Sequence, residues 1–192
     1  ADVLSLLAEL HKKTNLWVEL GLQTADAQSA AFIRRGYPLS VFTQAVYALA
    51  ERNIPVVVHI ILGLPGESRE TVLRTIDYLN RLPIQGVKLQ LLHVLSDSDL
   101  ADLYRAGEYT PLEKEEYLTL VGDCIAHLRA DIVLHRLTGD GDKNTLLAPL
   151  WSLRKRDVLN HLHRYLRENH IRQGMSCKID LSVIYNKPKD VL

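Results

Sequence analysis

The chain has 192 residues, of which 47% are apolar, and this suits one soluble globular domain with a buried core. With 23 basic and 23 acidic residues the chain has a formal net charge of zero, so its overall charge does not attract nucleic acid or an anionic membrane. A local basic patch is compatible with this net charge. Cys124 and Cys177 lie too far apart for a disulfide framework or a zinc-binding spacing. This cysteine usage predicts a reducing, cytoplasmic location, and no apolar run approaches the roughly 20 residues that span a bilayer.

The first part of the chain alternates between predicted helices and strands. Apolar residues at helical spacing predict a first helix that ends near the Lys12-Lys13 pair. Because Ala1 lies inside this pattern, we interpret the chain as a fragment that begins within a domain. Leu16 to Gln23 is predicted as a strand, Ala27 to Ile33 as a short helix, and Ser40 as the N-cap of a longer helix.

The most strongly patterned stretch is Pro55 to Leu62, whose continuous Val and Ile residues predict a strand buried on both faces of a parallel sheet. Gly63, Pro65 and Gly66 end it in a type II turn, and Ser68 is predicted to cap the next helix. Such a turn lies at the carboxyl end of a strand, where βα folds place their sites. Its backbone N–H groups could bind a carboxylate, phosphate or nucleotide. Most turns with this pattern, however, connect a strand to a helix without contacting a ligand.

The remaining elements continue the alternation. Gly86 to Val94 is predicted as the third strand and Asp131 to Leu137 as the fourth. A capping box over Thr110 to Glu113 predicts a helix that starts at Pro111, and a last helix covers roughly Leu153 to Glu168. Repetition of βα units at about 30 to 45 residues implies a parallel sheet, either open or curved as part of a barrel, with too few strands to close an eightfold barrel.

Polar side chains within these apolar strands are the candidate functional residues. Glu19 and Gln23 lie four residues apart, so both face the same side of a strand. A buried carboxylate needs a partner, and the simplest expectation is that Glu19 pairs with Lys88 or an arginine inside the sheet. His59 and His93 lie on predicted core strands, where hydrogen-bonded histidines are commoner than ligands, and we predict no metal site in this chain.

Three basic segments allow two interpretations each. Arg34-Arg35 suits a solvated helix end, or a cationic clamp for a carboxylate. His135-Arg136 brings histidine, arginine and Asp140 to the end of a predicted strand, which suits a ligand site or a turn capped by the aspartate. The i, i+2 spacing of His161 and His163 places them on different helix faces and favours a solvated surface over a metal site.

Five of these segments together resemble a known family. They read VELGLQT, RRGY, HIILGLPGES, KLQLLHVL and HRLTGDG, and extend from Trp17 to Trp151. Their combination resembles the later part of the radical S-adenosylmethionine (SAM) core, and among its members the YhcC/YtqA-like subgroup of bacterial Fe-S oxidoreductases. The resemblance implies an α/β fold, with residues 1–152 forming a portion of a partial (β/α)6 TIM-like barrel with parallel strands. Residues 153–192 would form a C-terminal helix and tail.

The resemblance also implies a chemistry. In such enzymes a [4Fe–4S] cluster, held by three cysteines, binds and reductively cleaves SAM, and a 5′-deoxyadenosyl radical then abstracts hydrogen from the substrate. Nothing in this chain resembles the cysteine triplet, and Cys124 and Cys177 lie on the wrong side of the motifs to supply it. We therefore expect an enzyme that is active at full length and inactive as this chain alone, with an electron donor protein as partner. Resemblance to tRNA-modifying relatives makes wobble-uridine modification, with tRNA as substrate, the first expectation.

Carried over by position, the resemblance implies two groups of site residues. The residues expected to contact SAM are Glu19, Gln23, Arg35, Ile61 and Gly63, and those expected to contact the substrate are His135, Arg136 and Asp140. The match to the family's Gly-x-Ile-x-Gly-x-x-Glu strand is incomplete. His59 replaces the first glycine, and Gly66 stands where the glutamate is expected, with Glu67 one position later.

Two further functions remain open at this point. One is a non-catalytic α/β module that binds a nucleotide or a partner through the turn over Gly63 to Gly66. The other is a metal-independent barrel enzyme that uses Glu19, Lys88 and His93 as acid, base and electrostatic groups. For the radical SAM fragment, a partial barrel without its first strands exposes a sheet edge and apolar surface, which predicts self-association.

Overall fold

A four-stranded parallel sheet forms the centre of the fold. The computed structural model describes residues 2–139 and 141–179. Its strands are β1 (Val18–Gln23), β2 (Val56–Leu62), β3 (Gly86–Leu91), β4 (Val94–Leu95), β5 (Val133–Arg136) and β6 (Leu146–Ala148). The main sheet has the order β1-β2-β3-β5, and all three of its pairings are parallel. The predicted α/β fold with a parallel sheet is therefore confirmed.

Seven α-helices accompany this sheet in the described residues. They are α1 (Val3–His11), α2 (Ala27–Phe32), α3 (Leu39–Ala50), α4 (Arg69–Leu79), α5 (Asp99–Arg105), α6 (Lys114–His127) and α7 (Lys155–Glu168). Of these, α3, α4 and α6 pack on one face of the sheet. Alternate strand residues such as Val58 and Leu89 are completely buried and join residues of α3, α4 and α6 in one apolar core. Burial of this continuous apolar surface is the main force that holds the helices on the sheet.

The other face of the sheet is polar and partly open to solvent. The prediction that β2 is buried on both faces is wrong for its second half, since His59 and Ile61 are only partly buried. Between them Ile60, which points to the helices, is 1% exposed. The residues that alternate with the core positions therefore form a solvent-facing surface rather than a second core layer.

The turn after β2 has the predicted form. The Glu67 N–H donates to the Leu64 carbonyl at 3.1 Å, and Gly66 has a φ of +77°, as the third residue of a type II turn requires. Ser68 caps α4, because its Oγ accepts a hydrogen bond from the Thr71 N–H at 3.3 Å. Both local predictions for this stretch are confirmed.

Two predicted helix starts are wrong. The capping box of α6 is formed by Glu113 and Glu116, so that helix begins at Lys114 and not at Pro111. The N-cap of α3 is Pro38, which offers no side-chain hydrogen bond, and Ser40 lies inside the helix.

The segment between β3 and α6 folds differently from the prediction. The predicted third strand is interrupted after Leu91, and Val94 instead pairs with Ala148 in the small antiparallel sheet of β4 and β6. Helix α5 follows β4 and was not predicted. These short elements lie beyond the carboxyl end of β3 and extend the surface around it.

Helix α7 closes the described part of the chain. It packs Val158 and Leu162 into the core against α6, while His161 and His163 lie on different faces as predicted. Of the predicted C-terminal tail, residues 180–192 lie outside the described residues. No helix in the described part is long and apolar enough to cross a membrane.

Candidate functional site

Glu19 on β1 and Lys88 on β3 form an ion pair that reaches across β2. The Nζ atom of Lys88 donates to both carboxylate oxygens of Glu19, each at 2.5 Å. The predicted pairing of these two residues is confirmed. The side chain of Glu19 is 36% exposed and that of Lys88 is 16% exposed, so the pair lies on the solvent-facing side of the sheet and not in its interior.

His59 links this ion pair to Gln90. Its Nε2 lies 2.6 Å from Glu19 Oε2, and its Nδ1 lies 2.8 Å from Gln90 Nε2. A carboxylate only accepts hydrogen bonds and an amide nitrogen only donates them, so these partners fit a neutral imidazole with its proton on Nε2. His59 is hydrogen-bonded, as predicted, but within the polar face and not within the apolar core.

The Glu19 carboxylate is held in its ionised form. The hydrogen bond from Lys88, followed by one from Trp17 Nε1 at 3.2 Å, lowers the pKa of Glu19 to about 2. At neutral pH such a group accepts hydrogen bonds and has no proton to donate. This geometry argues against Glu19 as the acid of a metal-independent enzyme. The third residue of that hypothesis, His93, hydrogen-bonds Ser152 at 3.1 Å.

Trp17 connects this network to the predicted substrate segment. The centroid of its indole ring lies 6.4 Å from that of the His135 ring. His135 in turn lies over Gly86, where a Cβ atom would stand 2.6 Å from the imidazole. Arg136 ends β5 and is aligned with Lys88 of β3. Asp140 lies outside the described residues, so its role remains a prediction.

The other predicted SAM contacts on β1 and β2 lie toward the carboxyl ends of the strands. Gln23 ends β1 with a φ of +65°, and its side-chain amide folds over the position where Gly21 lacks a Cβ. Ile61 is aligned with Gln90 of β3 and is partly exposed. Gly63 has a φ of +89°, and its carbonyl accepts a hydrogen bond from the Tyr109 hydroxyl at 2.8 Å.

Arg35 lies beneath the loop that follows β1. Its Nη1 donates to the carbonyls of Thr24 at 2.6 Å and Leu22 at 3.2 Å, and its Nε donates to the Tyr37 carbonyl at 3.1 Å. These bonds hold the loop against the carboxyl end of β1. A contact between Arg35 and a carboxylate remains a prediction, and its neighbour Arg34 is exposed, as expected for a solvated helix end.

Glu67 forms a second polar site on the helix side of the turn. The Thr24 hydroxyl donates to Glu67 Oε1 at 2.5 Å and at the same time accepts the Asp26 N–H at 3.0 Å. Burial raises the pKa of Glu67, and the hydrogen bond from Thr24 opposes that rise only in part. Glu67 thus ties the turn after β2 to the loop after β1.

Sequence reasoning missed Trp17 and Gln90 as members of the main network. Trp17 stands two positions before Glu19, and Gln90 stands two positions after Lys88. Because residues i and i+2 of a strand share a face, this spacing could have placed both residues beside the predicted pair.

The described residues do not fit an iron–sulfur cluster. Within residues 2–139 and 141–179, no three His, Cys, Asp or Glu side chains are placed to hold a metal ion. Cys124 is buried in α6, where burial raises the pKa of its thiol, and Cys177 lies in the segment after α7. A thiol in the buried position of Cys124 is a poor metal ligand.

Two family models cover most of this chain. The model of the Radical SAM superfamily matches residues 1–79, and that of the Radical_SAM C-terminal domain matches residues 84–168. The chain belongs to the radical SAM superfamily. The family resemblance of the sequence motifs is thereby confirmed.

The curated relatives include both proteins that typify the subgroup. The radical SAM chain is 36% identical over 173 residues to the uncharacterized protein YtqA of Bacillus subtilis, which covers 90% of this chain and 54% of YtqA. It is 33% identical over 170 residues to the protein YhcC of Escherichia coli, covering 88% of this chain and 55% of YhcC. The chain thus spans about half the length of these relatives.

More distant similarities extend to a tRNA uridine(34) acetyltransferase and to a solved structure. The chain is 26% identical over 107 residues to the tRNA uridine(34) acetyltransferase of Methanocaldococcus jannaschii, covering 54% of this chain and 20% of that protein. The solved structure of the archaeal Methanocaldococcus infernus Elp3 with an N-terminal deletion superposes with a TM-score of 0.70 at 17% identity, over 86% of this chain and 39% of that chain. This second similarity shows the fold, which is TIM-barrel-like.

Proposed function

We propose that the full-length protein is a radical SAM Fe-S oxidoreductase, in which SAM and a reduced [4Fe–4S] cluster supply a 5′-deoxyadenosyl radical that abstracts hydrogen from the substrate. The observation that carries the proposal is the network of Glu19, His59, Lys88 and Gln90 on the solvent-facing side of the sheet, in a chain of this superfamily. These polar groups lie together on one partly exposed face of the sheet, which suits the binding of a polar ligand.

The groups on this face suit the polar parts of SAM. The ionised carboxylate of Glu19 offers acceptors for ribose hydroxyls or an ammonium group, and the carboxamides of Gln23 and Gln90 offer both donors and acceptors. Ile61 adds a partly exposed apolar surface beside them, of the kind that packs against an adenine. In this proposal these residues bind and orient SAM, while Lys88 and His59 keep the Glu19 carboxylate in place.

The cluster requires residues that this sequence does not contain. The chain has two cysteines, so three cysteine ligands would have to come from elsewhere in the full-length protein. We therefore propose that this chain alone is inactive and that an electron donor protein serves the full-length enzyme. For the isolated chain we also propose self-association through β1, which stands at the edge of the four-stranded sheet.

We further propose that the reaction modifies the wobble uridine of a tRNA. Similarity to the tRNA uridine(34) acetyltransferase over part of the chain supports this substrate. His135 and Arg136 lie at the end of β5 beside the polar network, where an imidazole and a guanidinium would suit a nucleotide.

The radical chemistry is tested by the release of 5′-deoxyadenosine. Full-length protein would be purified without oxygen, reconstituted with iron and sulfide, reduced, and incubated with SAM. We expect the wild type to form 5′-deoxyadenosine and E19Q to form it about tenfold more slowly. The control E9Q alters an exposed glutamate of α1 and should match the wild type.

A wild-type protein that binds no iron and forms no 5′-deoxyadenosine overturns the enzyme proposal and favours the binding module instead. Undiminished formation by E19Q would remove Glu19 from the site. The tRNA substrate is tested separately, by mass spectrometry of tRNA nucleosides from a strain that lacks the gene. Loss of a modified wobble uridine is expected, and unchanged nucleosides would contradict this substrate.

A further inference from the structure

The zero net charge of the chain conceals a strongly basic C-terminal helix. Residues 154–172 contain six Lys or Arg against two Asp or Glu, whereas the rest of the chain contains 17 Lys or Arg against 21 Asp or Glu. Excess positive charge is therefore concentrated in and beside α7.

Helix α7 turns this charge toward solvent. Val158 and Leu162 face the core and are 1% and 0% exposed. Arg156, Arg164 and Arg167 are exposed on the opposite face, where their helical spacing brings them into one row. We refer to these three arginines as the basic row. Within the described residues, none of the three forms an ion pair with an acidic side chain.

The acidic residue nearest the start of α7 does not neutralise the basic row. The Asp157 carboxylate accepts a hydrogen bond from Lys114 Nζ at 2.7 Å and lies 3.2 Å from His161 Nδ1. The Lys114 contact directs the carboxylate toward α6, whereas His161 lies on α7 itself. The charge of the basic row therefore remains available to an anionic partner.

The basic row starts near the carboxyl ends of the strands in the main sheet. Just before α7, Ser152 hydrogen-bonds His93, which follows β3, at 3.1 Å. The neighbouring Trp151 donates its indole N–H to the Leu112 carbonyl at 3.2 Å, and the Leu112 side chain packs beside Gly63 at the end of β2. These contacts place the first turn of α7 next to the carboxyl ends of the strands.

We propose that the basic row binds the phosphate backbone of an RNA and guides it toward the carboxyl edge of the sheet; the inference rests on the proposed tRNA substrate. From Arg156 to Arg167 the row is about 16 Å long, enough to contact several phosphates of one strand. Arginine suits this task because its guanidinium pairs with phosphate oxygens in a fork. A membrane surface fits less well, since the apolar face of α7 is already packed on α6.

The test compares RNA binding by two variants with the same change in net charge. Full-length protein would be titrated into a fluorescein-labelled tRNA transcript, and binding followed by anisotropy at several salt concentrations. We expect R156E/R164E/R167E to weaken binding by at least about tenfold and to reduce the slope of log Kd against log salt by about 2 to 3. The control K12E/K13E/R81E reverses three exposed charges on other elements and should stay within about twofold of the wild type.

Equal weakening in both variants, or no binding of RNA by the wild type, overturns the inference. Binding to phosphatidylserine-containing vesicles in place of RNA would assign the basic row to a membrane and also overturn it. A milder variant, R164A/R167A, should lower the slope of log Kd against log salt by about 2, and it can be used if R156E/R164E/R167E does not fold.

If the wild type forms 5′-deoxyadenosine but its affinity for RNA does not depend on the basic row, only this inference fails. If RNA binding depends on the row but no 5′-deoxyadenosine forms, only the enzyme proposal fails.

Discussion

The ammonium group of Lys88 bonds both carboxylate oxygens of Glu19, although the two residues are 69 positions apart and stand on strands that do not pair with each other. The strand between them, β2, contributes His59 to the same cluster. Three strands therefore meet in one polar network, and the register of the sheet determines its composition.

Neutralising Glu19 should make the free energy of unfolding less dependent on pH in the acidic range. Hydrogen bonds lower the pKa of Glu19 from 4.5 to about 2, so the ion pair stabilises the fold above pH 4.5 and this contribution is lost as the pH falls toward 2. Because the side chain is 36% exposed, screening by solvent limits the contribution to about 1 kcal/mol. Urea unfolding should show E19Q less stable than the wild type at pH 7 and nearly equal to it at pH 2. A deficit of the same size at both pH values would contradict the ion pair as its cause.

Replacing Glu67 by glutamine should have the opposite effect at neutral pH. Burial raises the pKa of Glu67, so its contribution to stability is complete below pH 4.5 and is lost as the pH rises through the folded-state pKa. Glutamine keeps an oxygen that accepts the Thr24 hydroxyl and carries no charge. We expect E67Q to have a higher free energy of unfolding than the wild type at pH 7, and no advantage near pH 4. E108Q, at an exposed position, should show no such pH dependence.

Arg129 should be among the most sensitive positions for stability. Its side chain is 1% exposed, and its guanidinium donates to the carbonyls of Asn80 at 2.8 Å, Leu82 at 3.2 Å and Ile84 at 3.4 Å, as well as to Asp131 at 3.1 Å. R129M would remove the guanidinium donors from these carbonyls, among which that of Leu82 also accepts a hydrogen bond from the Ile84 N–H at 2.9 Å. We expect a loss of about 3 kcal/mol in the free energy of unfolding, measured by denaturant titration.

The matched control for Arg129 is R81M, since Arg81 is exposed in the loop after α4 whose carbonyls Arg129 binds. It should change stability by less than about 0.5 kcal/mol. Similar losses in both variants would show that the methionine, rather than the missing buried donors, is responsible.

Adding a methyl group at Gly86 should displace His135 without unfolding the chain. An alanine Cβ would stand 2.6 Å from the imidazole, whose exposed ring can move away, and 3.0 Å from Cγ2 of the buried Val57. The expected cost in stability is therefore about 1 to 2 kcal/mol. NMR should show shifted resonances for the His135 ring and the Trp17 indole in G86A. G107A, where a Cβ meets nothing within 4 Å, should leave both unchanged. Unshifted ring signals in G86A would contradict the close packing of His135 on Gly86.

Most of the helices and strands could be predicted because they depend on local patterns. The Val and Ile run of β2, the Pro65-Gly66 turn and the Ser68 cap each involve residues within a few positions of one another. The start of α6 could not be chosen in this way, because two capping patterns overlap. Tertiary contacts decide it: Leu112 packs beside Gly63 and its carbonyl accepts the Trp151 indole N–H, which holds this residue outside the helix.

By itself, the sequence determined the α/β class, the parallel strands and the family, and it restricted the partner of Glu19 to Lys88 or an arginine. Only the tertiary structure decided that His59, Gln90 and Trp17 join that pair, that Arg35 bonds three carbonyls, and that the arginines of α7 share one exposed face. The physical reason is the distance along the sequence over which each kind of interaction acts. Helix and turn preferences act over about four residues, whereas the partners of a strand side chain are selected by strand order and register, which only the packed core imposes.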